Sequence, residues 1–92
     1  IDDFGFTQIK TIKTDVFRYI KTCNEQFDIV FADPPYDLKE LESIPDFIFE
    51  QEILKENGWL ILEHGDKTDF SKHEKFKEQR KYGGVNFSIF VH

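Results

Sequence analysis

Cysteine is almost absent from this sequence. The 92 residues hold one, Cys23, and a lone thiol cannot close an internal disulfide, so the fold does not depend on an oxidising compartment. Long apolar runs are missing as well. No stretch approaches the roughly 20 residues a membrane-crossing helix needs, and no signal-peptide pattern opens the chain. A reduced, cytoplasmic setting without membrane attachment is therefore expected. Positive charge is also short: 12 Lys and Arg stand against 18 Asp and Glu, a formal charge of −6. That balance works against independent binding of a polyanion, because phosphate contact is led by Lys and Arg. His64, His73 and His92 have no partners at metal-ligand spacing, and one cysteine cannot make a zinc site, so no metal is expected. Neither G-x-G-x-x-G nor G-x-x-x-x-G-K-[ST] occurs, and no Ser-His-Asp arrangement can be argued from spacing.

What is present can build a core. Hydrophobic residues make up 39% of the chain and 11 of them are Phe, while 33% of residues are charged, as in a soluble globular protein. At this length folding buries only roughly 60–70% of the unfolded surface, so stability is marginal. The first residue is Ile1, which suggests a piece of a longer chain. Two basic groups, Lys10 and Lys13 with Lys21, and Lys72, Lys75, Lys77, Arg80 and Lys81, read most simply as solvated faces.

Gln8 to Lys13 is rich in β-branched residues and reads as a strand. Thr14 or Asp15 then caps a short helix with Val16, Phe17 and Ile20 on one side. Phe27-Asp28-Ile29-Val30-Phe31-Ala32 is nearly continuous in apolar character, as in a strand buried on both faces. It must stop at Asp33-Pro34-Pro35-Tyr36, because proline cannot donate to a ladder. Ser43 with Pro45 and Asp46 marks a helix start, Phe47, Ile48, Ile53 and Leu54 form its apolar side, and Asn57-Gly58 closes it, with Gly58 as a left-handed cap. Trp59 to Glu63 is the next strand, and Phe70 to Lys75 is expected to make one helical turn. His64 is expected in the loop that follows. Phe76–Tyr82 and Val85–Val91 are strands joined at Gly83-Gly84. In the last of these, Val85, Phe87, Ile89 and Val91 alternate with Asn86, Ser88 and Phe90, so one face is buried. The order implies an α/β fold: parallel strands with crossover helices and a terminal antiparallel hairpin.

Asp33-Pro34-Pro35-Tyr36 falls at the carboxyl end of a buried strand, where open α/β sheets bind ligands. An exocyclic amine on a base is a poor nucleophile because its lone pair is delocalised into the ring. Two acceptors that take both N–H hydrogens would localise that lone pair. Asp33 can supply one and the carbonyl of Pro34 the other, with both prolines holding the backbone in advance. Tyr36 can lie flat on the base, a contact worth about 1–3 kcal/mol. Methyl transfer to the amine would follow largely from positioning.

Phe27 through Tyr36 resembles the amino-methyltransferase signature, in which Asp or Asn precedes Pro-Pro and an aromatic. With Asn57-Gly58-Trp59-Leu60-Ile61-Leu62-Glu63 after one helix and Tyr82-Gly83-Gly84 near the end, the chain is similar to the bacterial enzymes that methylate guanine N2 in small-subunit ribosomal RNA. The likeness covers nearly all 92 residues. It implies the C-terminal half of a class I, Rossmann-like methyltransferase sheet, from its third strand to its seventh. S-adenosylmethionine is then the implied cofactor, ribosomal RNA or the small ribosomal subunit the implied partner, and rRNA methylation the process. By the same resemblance, Asp33, Pro34, Pro35 and Tyr36 are catalytic. Asp15, Val16 and Asp33 bind cofactor, with Asp15 accepting from the adenine amine and the Val16 backbone meeting the ring edge. Read without the resemblance, Asp15 is equally well a helix cap, whereas a turn former is the lesser reading of Asp33, since an acidic residue ending a fully apolar strand needs a reason.

The family's glycine-rich loop and the acid ending its second strand have no counterpart here. The chain is therefore expected to hold a partial catalytic domain across residues 1–92 and to bind S-adenosylmethionine weakly or not at all alone. In the family order 3-2-1-4-5-7-6, loss of the first two strands exposes the edge at Ile29–Phe31. Either Gln8–Lys13 pairs there non-natively, out of the family order, or two chains associate through it. Competing readings are adenine-N6 methylation of DNA, the magnesium-holding strand of an ATPase, and a non-catalytic module derived from the same fold.

Overall fold

Two short crossovers set the direction of the first three strands. The computed structural model describes residues 9–13, 16–23, 25–34 and 41–92. Strand β1 spans Ile9–Ile12, helix α1 Val16–Thr22 and strand β2 Phe27–Ala32. A 3-10 turn at Leu41–Ser43 leads into helix α2, Ile44–Glu50, and then strands β3, Leu54–His64, β4, Phe76–Tyr82, and β5, Val85–Val91. The sheet order is β1-β2-β3-β5-β4. β1, β2 and β3 run parallel, and β5 and β4 add antiparallel. This is the mixed α/β sheet expected of a partial Rossmann-like methyltransferase fold.

Both parallel connections step the same way across the sheet. Crossovers are almost always right-handed, which places α1 and α2 on the same face. They meet there edge to face, with Phe17 and Phe47 ring centroids 5.3 Å apart. Val16 and Ile20, one turn apart on α1, are buried, as is Ile48 of α2. Beneath the helices lie Val30 and Ala32 of β2, Leu60 and Leu62 of β3 and Phe90 of β5, all fully buried. The opposite side of the same strands carries half-buried Ile29, Phe31, Trp59, Ile61 and Ile89.

The edge expected at Ile29–Phe31 is not open. β1 pairs with it in the register Ile9↔Ile29, Lys10↔Val30 and Thr11↔Phe31, so the first of the two expected arrangements is the one found. The hairpin at Gly83-Gly84 also forms as expected, with Gly83 at φ 65°, the positive value that mirror-image hairpin turns require. The caps expected at Thr14 and Asp15 lie outside the described residues.

Three expectations need correction. First, α2 ends at Glu50 and is followed by Glu52 at φ 54°, so Asn57-Gly58 does not close it. Ile53 and Leu54 are buried at the entry to β3, and the Phe27 amide donates to the Ile53 carbonyl at 2.8 Å. β3 takes five steps from Leu54 to Trp59 where β2 takes two from Phe27 to Ile29, and Asn57 turns that excursion at φ 65°. Gly58 is needed for another reason: a Cβ there would lie 2.8 Å from the Lys55 carbonyl and 3.0 Å from that of Asp28. Asn-Gly is turn chemistry in either setting, and burial of Ile53 and Leu54 decides for the strand.

Second, Phe70–Lys75 is a pair of successive turns rather than a helical turn, closed by His73 N–H to Phe70 O at 2.9 Å and Phe76 N–H to His73 O at 3.0 Å. It drops Phe70 onto the core beside Phe90, with centroids 5.4 Å apart. Third, His64 is the last residue of β3 and has no exposed surface, so it is not a loop histidine. One face of β5 is buried as expected, and it is the face of Asn86, Ser88 and Phe90.

Candidate active site at the carboxyl ends of the parallel strands

The three parallel strands end side by side. Lys13 follows β1, Asp33 follows β2, and Glu63 and His64 close β3. The Asp33 amide donates to the Ile12 carbonyl at 2.7 Å, which carries the β1–β2 ladder one residue past Ala32. Pro34, next in the chain, is fully buried and ends the ladder because it has no N–H. The backbone that presents Asp33 is thus fixed from both sides.

Register puts a second carboxylate next to the first. Ala32 lies opposite Leu62, so Asp33 comes beside Glu63. Burial pushes the Asp33 carboxyl above the usual carboxylate range, the Glu63 charge adds to that, and Lys13 opposes it. On the same sheet face, Phe31 packs against Phe87 of β5 at 5.8 Å between ring centroids.

The other face at this end is a closed polar network. His64 Nδ1 lies 2.9 Å from the Gly65 carbonyl, and Nε2 lies 2.7 Å from Ser88 Oγ. A carbonyl only accepts, so Nδ1 carries a hydrogen, and the Ser88 hydroxyl donates to Nε2. Asn86 accepts from Gln79 Nε2 at 2.9 Å and donates to Asp66 at 2.8 Å, and Lys81 Nζ reaches Asp66 at 3.3 Å. These contacts hold the Asp66 carboxyl below its usual range. They brace the end of β3 that carries Glu63.

The structure therefore places Asp33 and Pro34 at the sheet end where they were expected. Val16, the first residue of α1, is buried. Asp15, Pro35 and Tyr36 lie outside the described residues. Sequence reasoning missed Glu63. Its signal was that the Trp59–Leu62 apolar run, like Phe27–Ala32, closes on a carboxylate at the same edge of the sheet. Elsewhere, Lys10 Nζ stands 5.0 Å from the Tyr19 ring centroid and Lys77 Nζ 5.8 Å from that of Trp59, so both basic groups contain cations held against aromatic faces. Among the described residues, no group of three His, Cys, Asp or Glu is placed to hold a metal ion, and no helix is long and apolar enough to cross a membrane.

The profile of the family described as conserved hypothetical protein 95 matches residues 1–91. This chain belongs to that family. Within the reach of the conserved hypothetical protein 95 family, it is similar to Ribosomal RNA small subunit methyltransferase D of Buchnera aphidicola subsp. Baizongia pistaciae, 20% identical over 91 residues, or 95% of this chain and 46% of that protein. Among solved structures it is similar to a candidate methylase from Haemophilus influenzae, with TM-score 0.66 and 22% identity over 83% of this chain and 50% of the other. A conserved hypothetical protein from Streptococcus pyogenes gives TM-score 0.70 and 22% identity over 83% and 49%. A candidate methyltransferase from Escherichia coli gives 0.64 and 16% over 82% and 42%. At these identities the structural likeness establishes the fold. The chain spans about half the length of the relatives it matches, 46% of the first and 50% of the second. Family and fold agree with what Phe27 through Tyr36 led us to expect.

Proposed function

We propose that this chain forms the substrate-amine side of an S-adenosylmethionine-dependent methyltransferase that modifies an exocyclic amine of a nucleic-acid base, guanine N2 in small-subunit ribosomal RNA. The observation that carries this reading is Asp33, held by Ile12 and buried Pro34 at the carboxyl end of a parallel strand, in a chain of the conserved hypothetical protein 95 family. The ribosomal RNA substrate is supported by the name of the Buchnera relative. Residues 1–92 are then a partial catalytic domain, with the rest of the cofactor pocket supplied by sequence that the longer relatives possess.

In this reading Asp33 accepts one N–H of the target amine and the Pro34 carbonyl the other, which localises the nitrogen lone pair. Tyr36 stacks on the base. The base must leave its helix to reach a site at a strand end, since a paired amine is not accessible. The cofactor supplies an activated methyl group on a positively charged sulfur. The donor set suits that charge: Asp33 and Glu63 place carboxylate oxygens at the strand ends. Asp15, Val16 and Asp33 would hold the cofactor.

The test is base-resolved mass spectrometry of RNA and DNA from a strain lacking the gene, complemented with wild-type protein or with Asp33→Ala. A guanine methyl lost in the deletion, restored by wild type and reduced about 10²–10³-fold by the variant supports the reading. A methyl lost from adenine instead moves the substrate to DNA or another RNA site. Full methylation by Asp33→Ala overturns the role of Asp33 and leaves a non-catalytic module as the better description.

A further inference from the structure

The chain is acidic as a whole, but one segment reverses the sign. From Lys72 to Tyr82 there are five Lys and Arg against two Glu, in a molecule of formal charge −6. Strand β4 carries three of these cations, Lys77, Arg80 and Lys81, and most of its side chains face solvent. Its last residue, Tyr82, is 63% exposed, and among the described residues only Ile9 joins it as an exposed large apolar side chain. A single exposed aromatic needs no explanation. Tyr82 belongs to a line of rings: it meets Phe87 at 6.1 Å between centroids, and Phe87 meets Phe31 at 5.8 Å. That line crosses one sheet face from β4 to β2, the strand that presents Asp33. Register brings a cation into the same row, since Asp33 comes beside Glu63, Glu63 pairs with Phe87 and Phe87 with Arg80. Tyr82 lies two residues further toward the hairpin, at the end of the sheet where Asp33 stands.

We propose that the β4–β5 hairpin binds single-stranded RNA beside the target nucleotide, with Tyr82 stacking a flanking base and Arg80 and Lys81 meeting its phosphates. This rests on the methyltransferase reading above and adds to it the surface that holds the substrate strand. Three strand spacings separate Asp33 from β4, about 14 Å, too far for one base to touch both. The base on Tyr82 is therefore a neighbour of the methylated one. Every base has a face to stack, so this contact holds the strand without reading its sequence. It selects single strands, because the bases of a duplex are stacked on one another and cannot be splayed onto a side chain. Arg80 is paired with Glu78 and Lys81 with Asp66. Both pairs lie at the surface, where such contacts are worth little, so a phosphate can take the place of either carboxylate.

The experiment measures binding of a fluorescent single-stranded RNA, about 10 nucleotides long, to protein expressed from the whole gene. Tyr82→Ala is expected to weaken binding about tenfold, and Tyr82→Phe, which keeps the ring, to leave it unchanged. Arg80→Gln with Lys81→Gln is expected to flatten the slope of log affinity against log salt by about 0.7 for each cation removed. With small ribosomal subunits from the deletion strain as substrate, Tyr82→Ala is expected to raise KM and leave kcat unchanged, the split that lost strand binding produces. Binding indifferent to Tyr82→Ala overturns the proposal, and so does equal weakening by Tyr82→Phe. Two further results overturn it without any variant: duplex RNA bound as tightly as the single strand, or no RNA bound by the wild type, which would make the hairpin a docking surface for protein. RNA binding that needs Tyr82, with methylation indifferent to Asp33, would remove the methyltransferase reading and keep the hairpin surface. Methylation that needs Asp33, with RNA binding indifferent to Tyr82, would do the reverse.

Discussion

The Ser88 hydroxyl donates to Nε2 of His64 across 2.7 Å, from β5 to β3, at a point where neither side chain has exposed surface. Together with the Gly65 carbonyl at Nδ1, this gives the imidazole both of its partners inside the core. A buried polar ring of this kind stabilises a fold only while it is fully satisfied.

Ser88→Ala should therefore cost more than one hydrogen bond's net worth. It leaves Nε2 buried without a partner, a penalty of about 1–3 kcal/mol. His64→Phe with Ser88→Ala removes both polar groups and should be less destabilising than the sum of the single changes. Chemical denaturation of the four proteins in the cycle checks this, and additive energies would show that the two side chains are not coupled.

Gly58→Ala should destabilise the sheet at the β2–β3 junction. The new Cβ meets two backbone oxygens, 2.8 Å and 3.0 Å away, and backbone cannot rotate aside as a side chain can. A loss of about 1–3 kcal/mol is expected. Asn57→Gly, at φ 65°, should be neutral or slightly stabilising in the same denaturation experiment. If the two substitutions behave alike, Gly58 is not crowded.

Asp33 and Asp66 should affect stability with opposite sign. Asp33 is raised by burial and by Glu63, so its contribution is favourable below the ordinary carboxylate range and is lost as pH rises through the raised value. Ionised Asp33 then costs stability at neutral pH, and Asp33→Asn should raise the melting temperature at pH 7 with little change near pH 3. Asp66 is lowered by Asn86 and Lys81, so its contribution is present above the ordinary range and fades as pH falls through the lowered value. Asp66→Asn should lower the melting temperature at pH 7 only. Matching signs for the two variants would contradict these environments.

Phe90→Ala should be among the costliest core changes. The ring is fully buried and meets Phe70 at 5.4 Å, His73 at 5.3 Å and Phe76 at 6.0 Å, each near edge to face. Truncation is expected to cost about 3–5 kcal/mol. A loss below about 1 kcal/mol in denaturant titration would mean that the turns at Phe70–Lys75 collapse into the space.

Much of the architecture was legible in the sequence because local chemistry and global fold agree. The apolar run Phe27–Ala32 had to be a buried strand, Pro34 had to stop it, and Gly83-Gly84 had to turn a hairpin. Misreadings arose where the same local signal serves two structures. Asn57-Gly58 bends a chain equally well after a helix or inside a bulged strand, and only the burial of Ile53 and Leu54 separates the cases. Periodicity showed that one face of β5 is buried but not which, because the partners of Asn86 and Ser88, namely His64, Gln79 and Asp66, are set by the fold. Asp33 and Pro34 were readable as a strand-end pair. Glu63 was not, because its place beside Asp33 depends on register between strands some 30 residues apart in sequence.

The position of β3 in the middle of the sheet has a bearing on fluctuations. It is flanked by β2 and β5, while the outer places belong to β1, four residues long, and β4, most of whose side chains face solvent. Fraying should therefore begin at those margins, and amide hydrogens from Trp59 to Glu63 should exchange last, near the free energy of global unfolding. Asp33 and Glu63 hang from the two strands that such partial openings leave in place, so their mutual placement should survive as long as the native state itself.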